Sequence, residues 1–148
     1  MSHKLRKHEL GFLEIDPKPT VYELNKYYSE RYYQESTSNS YQSIYSDEEF
    51  SYITAKISQR ASLVNKYNTV ERGKLLDVGC GEGFVMRHYH DKNWSIDGVD
   101  FSEYGITSLN PDLLSFFEKG DISSIIETKI ENFEKFDVIW LGNVLEHV

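Results

Sequence analysis

The stretch "LLDVGCGEGF", residues 75–84, places Gly79, Gly81 and Gly83 at alternate positions behind a short apolar run that contains Asp77. Glycine carries no Cβ, so a backbone built this way can turn tightly and come within contact of a ligand. A buried strand, a glycine loop and a helix in succession form a nucleotide-binding arrangement, because the free N–H groups at the helix start face whatever lies there. The charges nearby narrow the ligand. Asp77 stands at the strand tip and Glu82 in the loop itself, and both would repel a pyrophosphate. The spacing is G-x-G-x-G, with Phe84 where the third glycine of a dinucleotide loop belongs. A nucleoside whose neighbouring group is positively charged meets these demands, and S-adenosylmethionine, with its ammonium and sulfonium, is such a molecule.

The elements that must hold this loop can be read on either side of it. "KLLDVG" is a short apolar run ending in glycine, as expected of a strand buried on both faces. "GFVMRHYHDK" reads as a helix, "WSIDGVD" as a second strand, and "SEYGITSLN" as a short helix closed by Pro111. "SFFEKGD" is a third strand, "ISSIIETKIENF" a helix, "FDVIWLG" a fourth strand, and "NVLEHV" the opening turn of another helix. Strands alternating with helices predict an α/β fold, a Rossmann-like parallel sheet with helices on both faces. Upstream, "SDEEFSYITAKISQRASLVNKY" has Ser46 and Glu49 at capping-box positions and a stripe of Phe50, Ile53, Ile57, Ala61 and Val64. "TVYELNKYYSERYYQ" opens a tyrosine-rich helical segment, and residues 1–20 read as a polar tail ending in the helix-breaking "DPKPT". The expected division is an N-terminal tail with a helical cap segment over 1–70, then a cofactor-binding half over 71–148.

Three blocks, "LLDVGCGEGF", "GVDFS" and "FDVIWLGNVLEHV", resemble in order and spacing the motifs of class I S-adenosylmethionine-dependent methyltransferases. The last string is similar to small-molecule methyltransferases, including those that modify sugars and cell-envelope precursors. The resemblance runs from about Gly73 to Val148. It implies that Asp77, Gly79, Cys80, Gly81 and Gly83 wrap the methionine part of the cofactor. It implies that Asp100 accepts the ribose hydroxyls, with Phe101 beside the adenine and Ser102 capping the next helix; an ordinary helix-capping aspartate is the rival. Asp121 and Ile122 would meet the adenine edge, against a plain turn. Leu141 and Asn143 would face the methionine part and the acceptor. His147 is a candidate general base for a hydroxyl acceptor, with helix capping or packing as the alternative for Glu146 and His147. Tyr41, Tyr45 or Arg60 could reach the bound molecule from the N-terminal helices. The family's sheet has seven strands, so a chain ending after the fourth is expected to be truncated. The open edge of that strand is then expected to pair with a second copy as a homodimer.

Composition bounds the rest. At 148 residues with a net charge of -8, the chain lacks the basic face that a nucleic acid or an anionic membrane surface requires. The basic run Lys4–His8 is too short to change that and reads as a solvated terminus. Cys80 is the single cysteine, which excludes an internal disulfide and fits a cytoplasmic protein; no base partners it as a nucleophile. The histidines His3, His8, His88, His90 and His147 show no metal-ligand spacing. The expectation is methyl transfer to a small-molecule acceptor. A non-catalytic cofactor-binding module and an NAD-type oxidoreductase are the alternatives, the latter disfavoured by Phe84 and the acidic loop.

Overall fold

A computed structural model of the chain describes residues 4–30 and 45–144. It opens with an antiparallel hairpin, β1 (Lys4–Lys7) and β2 (Leu13–Asp16), in which Leu5 lies opposite Ile15 and Arg6 opposite Glu14. Side chains alternate across a strand, so Leu5, Leu13 and Ile15 share one face with Lys7, and Lys4, Arg6, Glu14 and Asp16 share the other. The Arg6 guanidinium donates to Glu14 Oε1 at 3.1 and 2.8 Å through Nε and Nη2. These strands are absent from the sequence reading, which took residues 1–20 as a tail. Two four-residue strands laced with charge give too short an alternation to stand out; within the basic run Lys4–Lys7 are exposed, and Arg6 pairs with Glu14 and Asp16.

Two capped helices follow. α1 (Val21–Glu30) starts at Thr20, whose hydroxyl accepts the Glu23 amide at 3.2 Å while the Glu23 carboxylate accepts the Thr20 amide at 2.8 Å. α2 (Asp47–Tyr67) begins with the same reciprocal device from Ser46 and Glu49. Such a cap satisfies orphan amides and contributes about 0.5–2 kcal/mol. Ile57 and Ala61 of α2 are buried, and Ala61 belongs to the core under the central sheet.

That sheet is parallel throughout. Its strands are β3 (Lys74–Val78), β4 (Ser95–Asp100), β5 (Phe117–Lys119) and β6 (Val138–Leu141), in the spatial order β5-β4-β3-β6. Between them run α3 (Phe84–His90), α4 (Tyr104–Leu109), a 3-10 turn over Pro111–Phe116, and α5 (Ile122–Glu131). Every strand and helix expected from Gly73 to Leu141 is present, within a few residues of its expected bounds. Along β3 the side chains alternate between two cores. Leu75 packs with Ile96, Met86, Tyr89, Trp94 and Ile106 on one face. Leu76 and Val78 pack with Val99, Ile125 and Val144 on the other. Helices therefore cover both faces, as the unbroken apolar strands require.

One glycine sets how close a helix can lie. Gly98 is opposite Asp77 in the β3–β4 register, and a Cβ there would run into the Met86 thioether and stand 3.1 Å from the Cys80 sulfur. Its bare Cα lets α3 rest directly on β4. Within the described sheet, β6 forms an edge on which Ile139 is 57% exposed.

Candidate functional site

Parallel strands bring their C-terminal ends to a single edge, so Gly120-Asp121, Asp100-Phe101, Gly79 and Leu141-Gly142-Asn143 line up in sheet order. The glycine loop at the centre adopts left-handed backbone at three places: φ is +68° at Gly79, +55° at Gly81 and +76° at Gly83. A side chain at any of them would be strained. The loop is tied down from β4. The amides of Gly79 and Cys80 both donate to the Val99 carbonyl, at 2.8 and 3.1 Å.

Asp100 is the main brace. It is buried; Oδ2 accepts the Gly81 amide at 2.9 Å and Oδ1 accepts the Ser102 amide at 3.0 Å. Ser102 Oγ in turn accepts the Tyr104 amide at 3.2 Å just ahead of α4, although the N-cap of that helix is Glu103 rather than the expected Ser102. Glu82 is held at both ends. Its carboxylate accepts the Tyr45 hydroxyl at 2.5 Å, and its carbonyl accepts Asn110 Nδ2 at 2.7 Å. Asn110 Oδ1 accepts Arg87 Nε at 3.0 Å, which links the loop to α3. The backbone of α4 also touches the loop: a Cβ on Gly105 would stand 2.9 Å from the Gly81 carbonyl oxygen.

The electrostatics are one-sided. Asp77, Glu82 and Asp100 are all buried, and among the described residues no lysine, arginine or histidine forms an ion pair with any of them. Burial raises the Asp77 carboxyl to about 8, with the charge of Asp100 adding to the effect. Burial also raises Glu82 to about 7, against the hydrogen bonds from Tyr45 and the backbone and with Asp100 reinforcing it. Asp100 is pushed up by burial too, although the Ser102, Gly81 and Phe101 amides oppose the rise. Among the described residues Asp77 Oδ2 has no hydrogen-bond partner. Ionised carboxylates taken from water need a cation or must hold a proton. The three carboxyls therefore hold protons or take a cation, and such a donor set fits the ammonium and sulfonium of the expected cofactor.

The remaining expected residues fall into place unevenly. Asp121 caps α5, its Oδ2 accepting the Ser124 amide at 2.9 Å and the Ser124 hydroxyl at 2.7 Å, and Ile122 is the first residue of that helix. Leu141 ends β6 on the same edge, and Asn143 takes a left-handed φ of 59°. After that turn Val144 is buried over Gly79, where a Cβ would meet its Cγ2 at 2.5 Å. Part of the room that Gly79 leaves is thus filled by the chain itself. Cys80 is buried, and burial first, then Asp77 and Asp100, push its thiol well above the ordinary value, the reverse of what a nucleophile needs. Tyr45 reaches the loop, whereas Arg60 lies exposed on α2. Tyr41, Glu146 and His147 lie outside the described residues. Gly105, Asn110 and Arg87 were missed. Only Gly105 left a trace in the sequence, since a glycine inside a helix usually marks a close approach.

Residues 76–148 match the family model described as a methyltransferase domain. Over these residues, just under half of the chain, it carries a methyltransferase domain of the class I S-adenosylmethionine-dependent type. This methyltransferase chain is similar to two proteins named ubiquinone biosynthesis O-methyltransferase. One, from Saccharophagus degradans, is 31% identical over 94 residues, which cover 60% of this chain and 39% of that protein. The other, from Rickettsia typhi, is 27% identical over 86 residues, 55% of this chain and 33% of that protein. The chain therefore spans little more than a third of the curated relatives it matches. Among solved structures, DesVI of Streptomyces venezuelae is 29% identical with a TM-score of 0.39, over 46% of this chain and 29% of that one. The PH0226 protein of Pyrococcus horikoshii is 32% identical with a TM-score of 0.39, over 45% and 34% of the two chains. The methyltransferase loop lies at the C-terminal edge of the sheet. A cleft of about 320 Å³ beside Asn68, Glu71, Tyr89, Lys92 and Trp94 opens instead next to the residues that lead into β3 and β4. Asp77, Glu82 and Asp100 are not among the residues that line it.

Proposed function

We propose that the protein transfers a methyl group from S-adenosylmethionine to a hydroxyl oxygen of a small-molecule acceptor. The observation that carries this reading is the group of three buried carboxylates around a left-handed glycine loop, with no described cation to neutralise them. Asp77 and the loop from Gly79 to Gly83 would receive the methionine part. Asp100 would accept the ribose diol with lone pairs beyond those that hold Gly81 and Ser102. Phe101, Asp121 and Ile122 would lie along the adenine, and Leu141 and Asn143 toward the acceptor.

The cofactor, when bound, supplies a methyl group already activated on a sulfonium. What these residues contribute is placement, and holding two reactants in line is worth about 7–11 kcal/mol of barrier. The oxygen acceptor is supported by the names of the two O-methyltransferase relatives. A sugar or cell-envelope precursor is the narrower acceptor that the "FDVIWLGNVLEHV" resemblance suggests. The site reads against a nicotinamide dinucleotide, whose diphosphate would meet Asp77 and Glu82.

Calorimetry tests this directly. The chain should bind S-adenosylmethionine and ignore NAD, and a preference for NAD overturns the reading. Transfer of a radiolabelled methyl group to a panel of phenols, sugar nucleotides and envelope precursors then identifies the acceptor.

A further inference from the structure

Glu82 has an unusual combination of constraints for a loop carboxylate. It is only 8% exposed, yet its acidic group meets no described cation. Among the described residues its side-chain donor, the Tyr45 hydroxyl at 2.5 Å, stands just ahead of α2, outside the strand–loop–helix unit. Tyr45 is itself fixed by edge-on contacts with Phe50 of α2 and Phe84 of α3, at ring-centre distances of 5.6 and 5.7 Å. Phe50 and Phe84 also meet edge to face at 5.6 Å, which closes a three-ring cluster. The Glu82 backbone is fixed independently by Asn110. A second observation in the same strand–loop unit points to a ligand: Asp77 at the end of β3 is only 3% exposed, and its Oδ2 has no hydrogen-bond partner among the described residues.

We infer that Glu82 receives the ammonium group of the cofactor's methionine part, and that Tyr45 is the positioning residue that aims the Glu82 carboxylate. The inference rests on the methyltransferase reading and adds to it two residues on which donor affinity depends. Tyr45 also joins the segment before α2 to the loop, so cofactor affinity depends on a residue outside the strand–loop–helix unit. A neutral hydroxyl suits this task. It orients the carboxylate through one oxygen without cancelling the charge that the ammonium requires.

The test compares ligands that differ at the amine. The full chain is titrated with S-adenosylhomocysteine and decarboxylated S-adenosylmethionine, which carry it, and with 5′-methylthioadenosine, which does not. Glu82→Gln should weaken the first two by about tenfold to a hundredfold, the range of a lost charge-assisted hydrogen bond, and leave the third unchanged. Tyr45→Phe should show the same selectivity with a smaller loss, and it carries the test if Glu82→Gln melts before titration. Equal weakening of all three ligands would mean a purely structural role, and no weakening of any would remove both residues from the site; either result overturns the inference. A wild-type chain that binds none of the three refutes the methyltransferase reading itself.

Discussion

The Asp100 carboxylate meets the Gly81 amide at 2.9 Å, so the end of β4 holds the glycine loop in its left-handed course. Its other oxygen holds Ser102 at 3.0 Å. Asparagine has one acceptor oxygen and would turn an NH2 toward the second amide. Asp100→Asn should therefore cost about 1–3 kcal/mol of stability, the range for an unsatisfied buried donor. It should also weaken S-adenosylmethionine severely. Thermal melting and calorimetry read the two effects separately, and an unchanged affinity would withdraw Asp100 from the ribose.

Asp77 and Glu82 make stability depend on pH in an unusual direction. In the folded chain they titrate at about 8 and about 7, against about 4 for carboxylates in an unfolded chain. Between those limits the folded state holds protons that the unfolded state has released, so these two groups lower stability as pH rises through the window. Asp77→Asn should flatten that slope and stabilise the ligand-free chain at the alkaline end. Urea midpoints across the window, wild type against variant, would show it; identical slopes contradict the assignment.

A cation entering this site should displace those protons. Calorimetric heats for S-adenosylmethionine near pH 6.5 should differ between buffers of high and low ionisation enthalpy, with the sign of proton release. Buffer-independent heats would mean that both carboxyls are already ionised before binding.

Gly105 carries a prediction that no side chain could. An added methyl would sit 2.9 Å from the Gly81 oxygen and 3.0 Å from its carbonyl carbon. Gly105→Ala has to push α4 and the loop apart, at the roughly 1–3 kcal/mol typical of overpacking. Cofactor affinity should fall with it. A variant with wild-type melting and binding would show that the loop yields freely.

Cys80 should behave as packing. Its buried thiol, flanked by Asp77 and Asp100, should react slowly with iodoacetamide until the chain unfolds. Cys80→Ala should retain methyl transfer, and a complete loss would reopen a covalent role.

The sheet half was open to sequence reading because each of its signals is local. An apolar run ending in glycine marks β3, a threonine able to cap marks the helix start at Thr20, and a capping pair marks the one at Ser46. The glycine loop, Asp77 and Asp100 were recognisable from residue type and spacing. What escaped depends on contacts far apart in sequence. Asn110 reaches Glu82 across 28 positions, and Tyr45 reaches the same residue across 37, with no periodicity to announce either. The hairpin escaped for another reason: its strands are four residues each, too brief for alternation to register. Val144 settling over Gly79 could not be foreseen from a motif that assigns Gly79 wholly to a ligand.

The bare Cα of Gly98 has a consequence for anyone who would change the donor this fold accepts. In a dinucleotide fold the closing glycine of the loop seats the following helix, whereas here that seat is cut into the neighbouring strand, beneath Met86. Rewriting Phe84 as glycine would restore the familiar spelling without moving α3, and would remove the ring on which Tyr45 and Phe50 lean. The seat of α3 thus rests on a neighbouring strand and an aromatic cluster together, and a change confined to the loop would disturb the cluster without recreating a dinucleotide loop.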